Sequence, residues 1–227
     1  MCGRYSIAVE PTEVEERFQA AFAEPTQPRF NAAPSQRLPV ILHAAPRTIV
    51  LAPWGLRPEW MKRVAKKDRL MNVRLETLRD KRTFRQDLAE RRCLVPADGF
   101  YEWKTLPDGK KVPFRITRTD GKLFAFAGIW QERLEAGGRT PHFAIITTAA
   151  NHLMQPIHSR MPVILDAGEE AAWLAGAKDA QDLIGLLETP PSLALRAYEV
   201  SRAVNRVTVD TPEVKKPVAD VSAVRDG

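Results

Sequence analysis

Between residues 93 and 148 the chain passes through four short apolar runs, at 93–103, 112–117, 122–130 and 142–148. They are parted by Pro107-Asp108-Gly109, Asp120-Gly121 and Gly137-Gly138. Gly and Asp tolerate the positive φ that tight turns require, so Asp-Gly between such runs is a hairpin signal. The middle of the chain is therefore committed to antiparallel strands joined locally. Further strand-like runs lie at 38–43, 48–54 and 161–165. Residues 12–23 read as a helix, because Thr12 and Glu15 have capping-box spacing and Val14, Phe18 and Phe22 recur every fourth residue. Residues 76–91 and 168–175 also read as helices, and 29–36 as a loop. Beyond Asn205 the chain is rich in Val, Lys, Asp and Pro without periodicity, and reads as a tail. There is no internal repeat, Gly-rich phosphate loop or interior linker. The expectation is one α+β domain over 1–205, dominated by antiparallel strands, with a tail at 206–227.

Composition narrows the class. The 227 residues are 44% apolar and 27% charged, ordinary for a globular chain with a sizeable core. Two cysteines, Cys2 and Cys93, cannot build a disulfide framework, which favours a reducing compartment. No apolar run is long enough to span a bilayer, and the first residues lack the apolar core of a signal peptide. A cytoplasmic protein without membrane contact is expected. His43, His142, His152 and His158 have no paired metal spacing, and no C-x-x-C occurs, so neither metal nor cofactor is expected. Cys93, in an apolar run, reads as a buried thiol. Ser159 beside His158 makes no triad, since adjacent residues rarely face one another and no G-x-S-x-G is present.

The net charge is +6, and its location says more than its size. Residues 57–92 carry 13 Lys/Arg against 6 Asp/Glu, so the remainder is slightly acidic. Trp60 and Phe84 lie within that stretch and Trp54 just before it. Cations beside rings suit a nucleic-acid strand, whose phosphates and bases they would meet. The plainer reading is the solvated face of a charged helix at 76–91.

Cys2 is the most informative position. A residue this small permits removal of the initiator methionine, which would leave an α-amine beside a thiol. The amine, with a reference pKa of about 7.7–8.0, is partly neutral near pH 7 and can attack an aldehyde to give a Schiff base. The neighbouring thiol, with a reference pKa of about 8.5, can then close a five-membered thiazolidine. An internal cysteine cannot do this, and with Met1 attached the amine route is blocked. The plainer reading is an incidental second residue.

Three polar residues stand in unusual settings. Glu102, in Gly99-Phe100-Tyr101-Glu102-Trp103-Lys104, is either a desolvated proton donor or an outward-facing strand residue. His158, in Ile157-His158-Ser159-Arg160-Met161-Pro162, is either a proton shuttle or a packed or capping histidine. Asn72 could hold a substrate oxygen or occupy a turn. Arg74, two residues on, would share its strand face and could meet a phosphate.

Together these segments resemble the SOS response-associated peptidase family, whose members shield abasic sites in DNA. The resemblance rests on Met1-Cys2-Gly3-Arg4-Tyr5, Phe30-Asn31-Ala32-Ala33-Pro34, Trp54-Gly55-Leu56-Arg57-Pro58, Asn72-Val73-Arg74-Leu75-Glu76-Thr77, the segment from Cys93 to Lys104, and Ile157 to Pro162. All six occur in the family's order. Val73 stands where many members carry Ala, and the tail has no clear counterpart. The resemblance implies an α+β fold around a curved, barrel-like antiparallel sheet with flanking helices and a positive groove for single-stranded DNA. It also implies a monomer that captures abasic sites in single-stranded DNA through a Cys2 freed of Met1, joining the nucleoid when bound. Glu102 would assist opening of the sugar, His158 would handle protons during Schiff-base formation and reversal, and Asn72 would orient Cys2. Arg4, Arg74 and Arg160 would hold flanking phosphates, with Trp54 and Trp60 as stacking surfaces. The proteolysis implied is chiefly removal of the protein's own Met1. Two alternatives stand beside this reading: a non-catalytic single-strand binding module, and a cysteine peptidase acting on other proteins.

Overall fold

The computed structural model describes residues 2–57, 69–80, 84–176, 179–189, 193–218 and 224–225. They form an α+β domain of two mainly antiparallel sheets and five α-helices. The first sheet runs in the order β15 (Val224–Arg225), β14 (Leu195–Glu199), β9 (Lys111–Arg118), β8 (Gly99–Thr105), β1 (Tyr5–Ile7) and β3 (Arg29–Ala32). The second runs β12 (Arg160–Pro162), β11 (Gly138–Ala149), β10 (Phe124–Glu135), β7 (Arg92–Ala97), β4 (Arg37–Leu42), β5 (Thr48–Pro53) and β2 (Ala21–Phe22). Two short strands attach to it: β13 (Ile164–Leu165) on β10, and β6 (Asn72–Arg74), parallel to β11. The sheets curl but do not close into a barrel.

Aromatic rings from both sheets meet in the core. Tyr5 of β1 lies edge-on to Trp54 and Phe126 at 5.2 and 5.8 Å, Phe100 of β8 lies edge-on to Phe126 at 5.9 Å, and Trp54 stacks on Phe143 at 6.2 Å. Rings of this size dominate core energetics through the apolar area they remove from water.

The run at 93–103 is two strands, one in each sheet. Asp98 marks the crossing. Its main-chain N–H donates to Ser6 O at 3.0 Å, and its carbonyl accepts from Arg115 at 3.1 Å and Thr117 at 2.9 Å. Gly99 makes room for this, because a Cβ there would stand 2.7 Å from the Arg115 guanidinium. The Asp98 carboxylate receives Arg115 at 3.0 Å and Lys215 at 2.8 Å. Burial alone would raise its pKa, but the two cations outweigh burial and hold it below the ordinary aspartate range. The ionised carboxylate therefore contributes stability above about pH 3.9, lost as the pH falls through the lower folded value. Lys215→Met is expected to cost about 1–2 kcal/mol at neutral pH. Urea unfolding should show that difference shrinking as acid neutralises Asp98.

Turn chemistry was legible, but connectivity less so. Gly109 (φ 78°) closes the β8–β9 hairpin, as its Asp-Gly signal predicts. Gly121 (φ 72°) also turns the chain, yet β9 and β10 lie in different sheets, so Asp120-Gly121 joins sheets instead of closing a hairpin. The first helix, α1 (Pro11–Phe18), is shorter than expected. Pro11 begins it, and Gln19 ends it in the left-handed region at φ 51°. Glu15 makes no capping box and instead accepts the Phe22 N–H of β2 at 2.8 Å. Residues 29–36 are not all loop, since β3 occupies their first half.

The single helix expected at 76–91 is instead α2 (Leu75–Asp80) and α3 (Arg85–Glu90). The helix expected at 168–175 is α4 (Ala167–Leu174), opened by a capping box in which Asp166 accepts from Glu169 N and Glu169 from Asp166 N. A further helix, α5 (Ala180–Glu188), and strand β14 carried no signal in the reading above. Arg92 is fully buried between the C-terminal ends of α3 and α4. Its guanidinium donates to Leu88 O (2.8 Å), Ala89 O, Trp173 O (2.7 Å) and Ala175 O (2.7 Å). A cation there satisfies helix-end carbonyls and complements both dipoles.

Candidate functional site

The start of the chain is laid down by sheet pairing. β1 runs antiparallel to β8, and the Tyr101 N–H donates to Arg4 O at 2.9 Å, which extends the pairing toward Cys2 and Glu102. Cys2 is fully buried and Glu102 nearly so. Burial pushes the Cys2 thiol far above its ordinary pKa, and the negative charge of Glu102 adds to the rise. The thiol is therefore protonated at neutral pH.

Asn72 reaches the same place from the other sheet. β6 holds it opposite Ile145, and its Nδ2 donates to Cys2 O at 2.7 Å. Its Oδ1 is buried without a hydrogen-bond partner among the described residues. Cys2, Asn72 and Glu102, distant in sequence, thus lie together. His158 is half-buried in the loop that leads into β12. Its Nδ1 lies 3.0 Å from the Arg160 N–H and 3.1 Å from Arg160 O, so it accepts from the first or donates to the second according to the ring's tautomer.

The arginines differ in availability. Arg74 on β6 is exposed. Arg160 is not open: Nη1 and Nη2 donate to the two Glu76 carboxylate oxygens at 2.6 and 3.0 Å, and Nη2 also donates to Thr147 O at 2.6 Å. Arg4 is half-buried, with Nη1 donating to Asn31 Oδ1 (2.8 Å) and Val204 O (2.7 Å), while its guanidinium lies 5.9 Å from the Trp103 ring centre. Trp54 is corrected outright. It is fully buried, stacked on Phe143, with its indole N–H donating to Met71 O at 2.8 Å, so neither face is available to a base. Trp60 lies outside the described residues, as does much of the basic stretch. Within the described part of that stretch the cations do not share one role, for Arg92 is a buried helix cap and Arg91 pairs with Asp87 at 3.1 Å. Among the described residues no group of three or more potential ligands could hold a metal ion, and no helix is long and apolar enough to cross a membrane.

Residues the sequence reading did not single out complete the site. Asn31, fully buried, accepts from Arg4 and donates to the carbonyls of Val204 (3.2 Å), Arg206 (3.1 Å) and Val209 (2.8 Å). The segment after Asn205 runs back over the first sheet. Asp210 accepts the N–H groups of Phe30 and Asn31 and pairs with Arg29, and Val214 packs with Tyr101, Val200 and Val204. The signal for Asn31 lay in the F-N-A-A-P segment and that for Glu76 in N-V-R-L-E. Neither spacing reveals the distant partner.

The chain matches the family described as SOS response associated peptidase over residues 1–207. It is 37% identical over 220 residues to abasic site processing protein YoqW of Bacillus subtilis, covering 94% of this chain and 98% of the relative. It is 31% identical over 233 residues to abasic site processing protein YedK of Escherichia coli, covering 96% and 100%. A crystal structure of a protein from Bacteroides thetaiotaomicron superposes with a TM-score of 0.81 at 25% identity, covering 96% of this chain and all of that one. A second, from Bordetella bronchiseptica, has a TM-score of 0.73 at 29% identity, covering 88% and 100%. With motifs, fold and extended matches in agreement, the chain belongs to the SOS response associated peptidase family.

Proposed function

We propose that the chain processes abasic sites by capturing them covalently in single-stranded DNA, through a Cys2 whose α-amine is freed by loss of Met1. The observation that carries this reading is that the Asn72 amide donates to Cys2 O while the Glu102 carboxylate lies near enough for its charge to act on the Cys2 thiol. Glu102 assists opening of the lesion sugar, which exposes its aldehyde. The Cys2 nitrogen adds to that carbon, and water leaves to give an imine. The thiol sulfur then adds to the same carbon while its proton passes to nitrogen, closing the thiazolidine. His158 moves protons during imine formation and reversal. Asn72 orients Cys2, and Arg74, Arg4 and Arg160 face the flanking phosphates.

The raised Cys2 thiol pKa favours attack by nitrogen before sulfur, because an amine needs no thiolate. It also disfavours a thiolate–imidazolium peptidase acting on other proteins.

The test uses protein whose intact mass confirms loss of Met1, incubated with a single-stranded oligonucleotide carrying an abasic site. A species that survives denaturing electrophoresis is expected. Cys2→Ala should form none, and Cys2→Ser at most an imine that heating destroys, since oxygen closes a less stable ring. No adduct from the wild-type protein, or an undiminished adduct from Cys2→Ala, would reject the mechanism. Salt-dependent binding with no adduct would leave a single-strand binding module.

A further inference from the structure

Arg160 carries a guanidinium where a phosphate ligand would be expected, yet its charge is already matched. Glu76 meets it with both carboxylate oxygens, at 2.6 and 3.0 Å. Arginine's planar fork fits a carboxylate and a phosphate with the same two-pronged geometry. Glu76 therefore sits where a phosphate would sit.

The surroundings allow the exchange. The Glu76 side chain is 48% exposed and can swing into water, whereas that of Arg160 is 15% exposed. Arg160 does not depend on Glu76 for its position, because Thr147 O accepts from Nη2 at 2.6 Å. The pair also borders the capture site: Glu76 follows Asn72 and Arg74 on β6 and α2, and the Arg160 N–H holds His158. The Arg160 bond keeps Glu76 ionised below the usual glutamate range, so it competes with phosphate throughout the neutral range.

We infer that Glu76 is a built-in phosphate mimic: it occupies the phosphate-binding fork of Arg160 in the free protein and must be displaced by the DNA backbone, weakening DNA binding. This rests on the reading of the Arg74–Arg160 face as the one that meets DNA. Removing the competing charge while keeping the side chain's shape should therefore tighten binding, an effect opposite in sign to that expected of a supporting residue.

The experiment measures binding of an intact single-stranded oligonucleotide by fluorescence anisotropy across about 50–200 mM salt. Wild type, Glu76→Gln, Arg160→Gln and the double variant are compared. Glu76→Gln should bind about 2–5-fold tighter at the lowest salt, in line with loss of one partly exposed ion pair. Its salt dependence should stay close to the wild-type slope, because the same phosphate is neutralised once Glu76 has been displaced. In the Arg160→Gln background most of that gain should disappear. Binding by wild type with no gain in Glu76→Gln, or an equal gain without Arg160, overturns the inference alone. Absence of binding by wild type and Glu76→Gln alike overturns both it and the assignment of this face to DNA.

Discussion

Glu102→Gln is expected to slow covalent capture of an abasic site by about 10²–10⁴-fold at saturating DNA, the usual contribution of a placed acid or base. Affinity for the same DNA should change little. The substitution keeps the shape of a nearly fully buried side chain on β8 while removing its negative charge and its ability to exchange a proton. A single-turnover time course on denaturing gels gives the rate, and anisotropy the affinity. The Cys2 thiol supplies an independent readout. Since Glu102 helps raise its pKa, Glu102→Gln should make the thiol deprotonate somewhat more readily, with burial still the larger cause. A variant that captures lesions at the wild-type rate would reduce Glu102 to a packing residue.

Arg92→Met is expected to destabilise the domain by about 3–5 kcal/mol, read as a lower urea midpoint at unchanged slope. Methionine can fill the volume beside Trp173. It cannot donate to the four carbonyls that end α3 and α4, and each buried carbonyl left alone costs about 1–3 kcal/mol. Arg92→Lys should recover part of the loss, because an ammonium can reach some of those oxygens but not two helix ends at once. Equal stability of Arg92→Met and wild type would mean that water reaches the helix ends.

Local chemistry was the legible part. The Asp-Gly turn at Gly109, the helix at 168–175 and the strand identity of β4, β5 and β9 follow from residues a few positions apart. Facts decided by long-range partners were not legible. The run 93–103 gives no sign that its halves enter different sheets, because the deciding contacts of Asp98 are Ser6, Arg115 and Lys215. Trp54 illustrates a second gap. An aromatic beside basic residues reads alike whether its ring meets a base or another core ring, and only its partners Tyr5 and Phe143 settle it. In the site, Cys2, Asn72 and Glu102 could be chosen because their chemistry is unusual for their setting. Asn31 and Glu76 looked ordinary, since their roles depend on segments 173 and 84 residues away.

The contact between Arg4 and Val204 spans 200 residues, and it bears on when the chain's first residues can be reached. A ribosome adding ~5–20 residues per second needs roughly 10–40 s to travel that distance. Throughout that interval the clamp has no second jaw, and the nascent end is open to any trimming enzyme that waits at the exit tunnel. In the finished molecule Cys2 is enclosed. On the reading proposed above, an outside aminopeptidase would act before that contact closes.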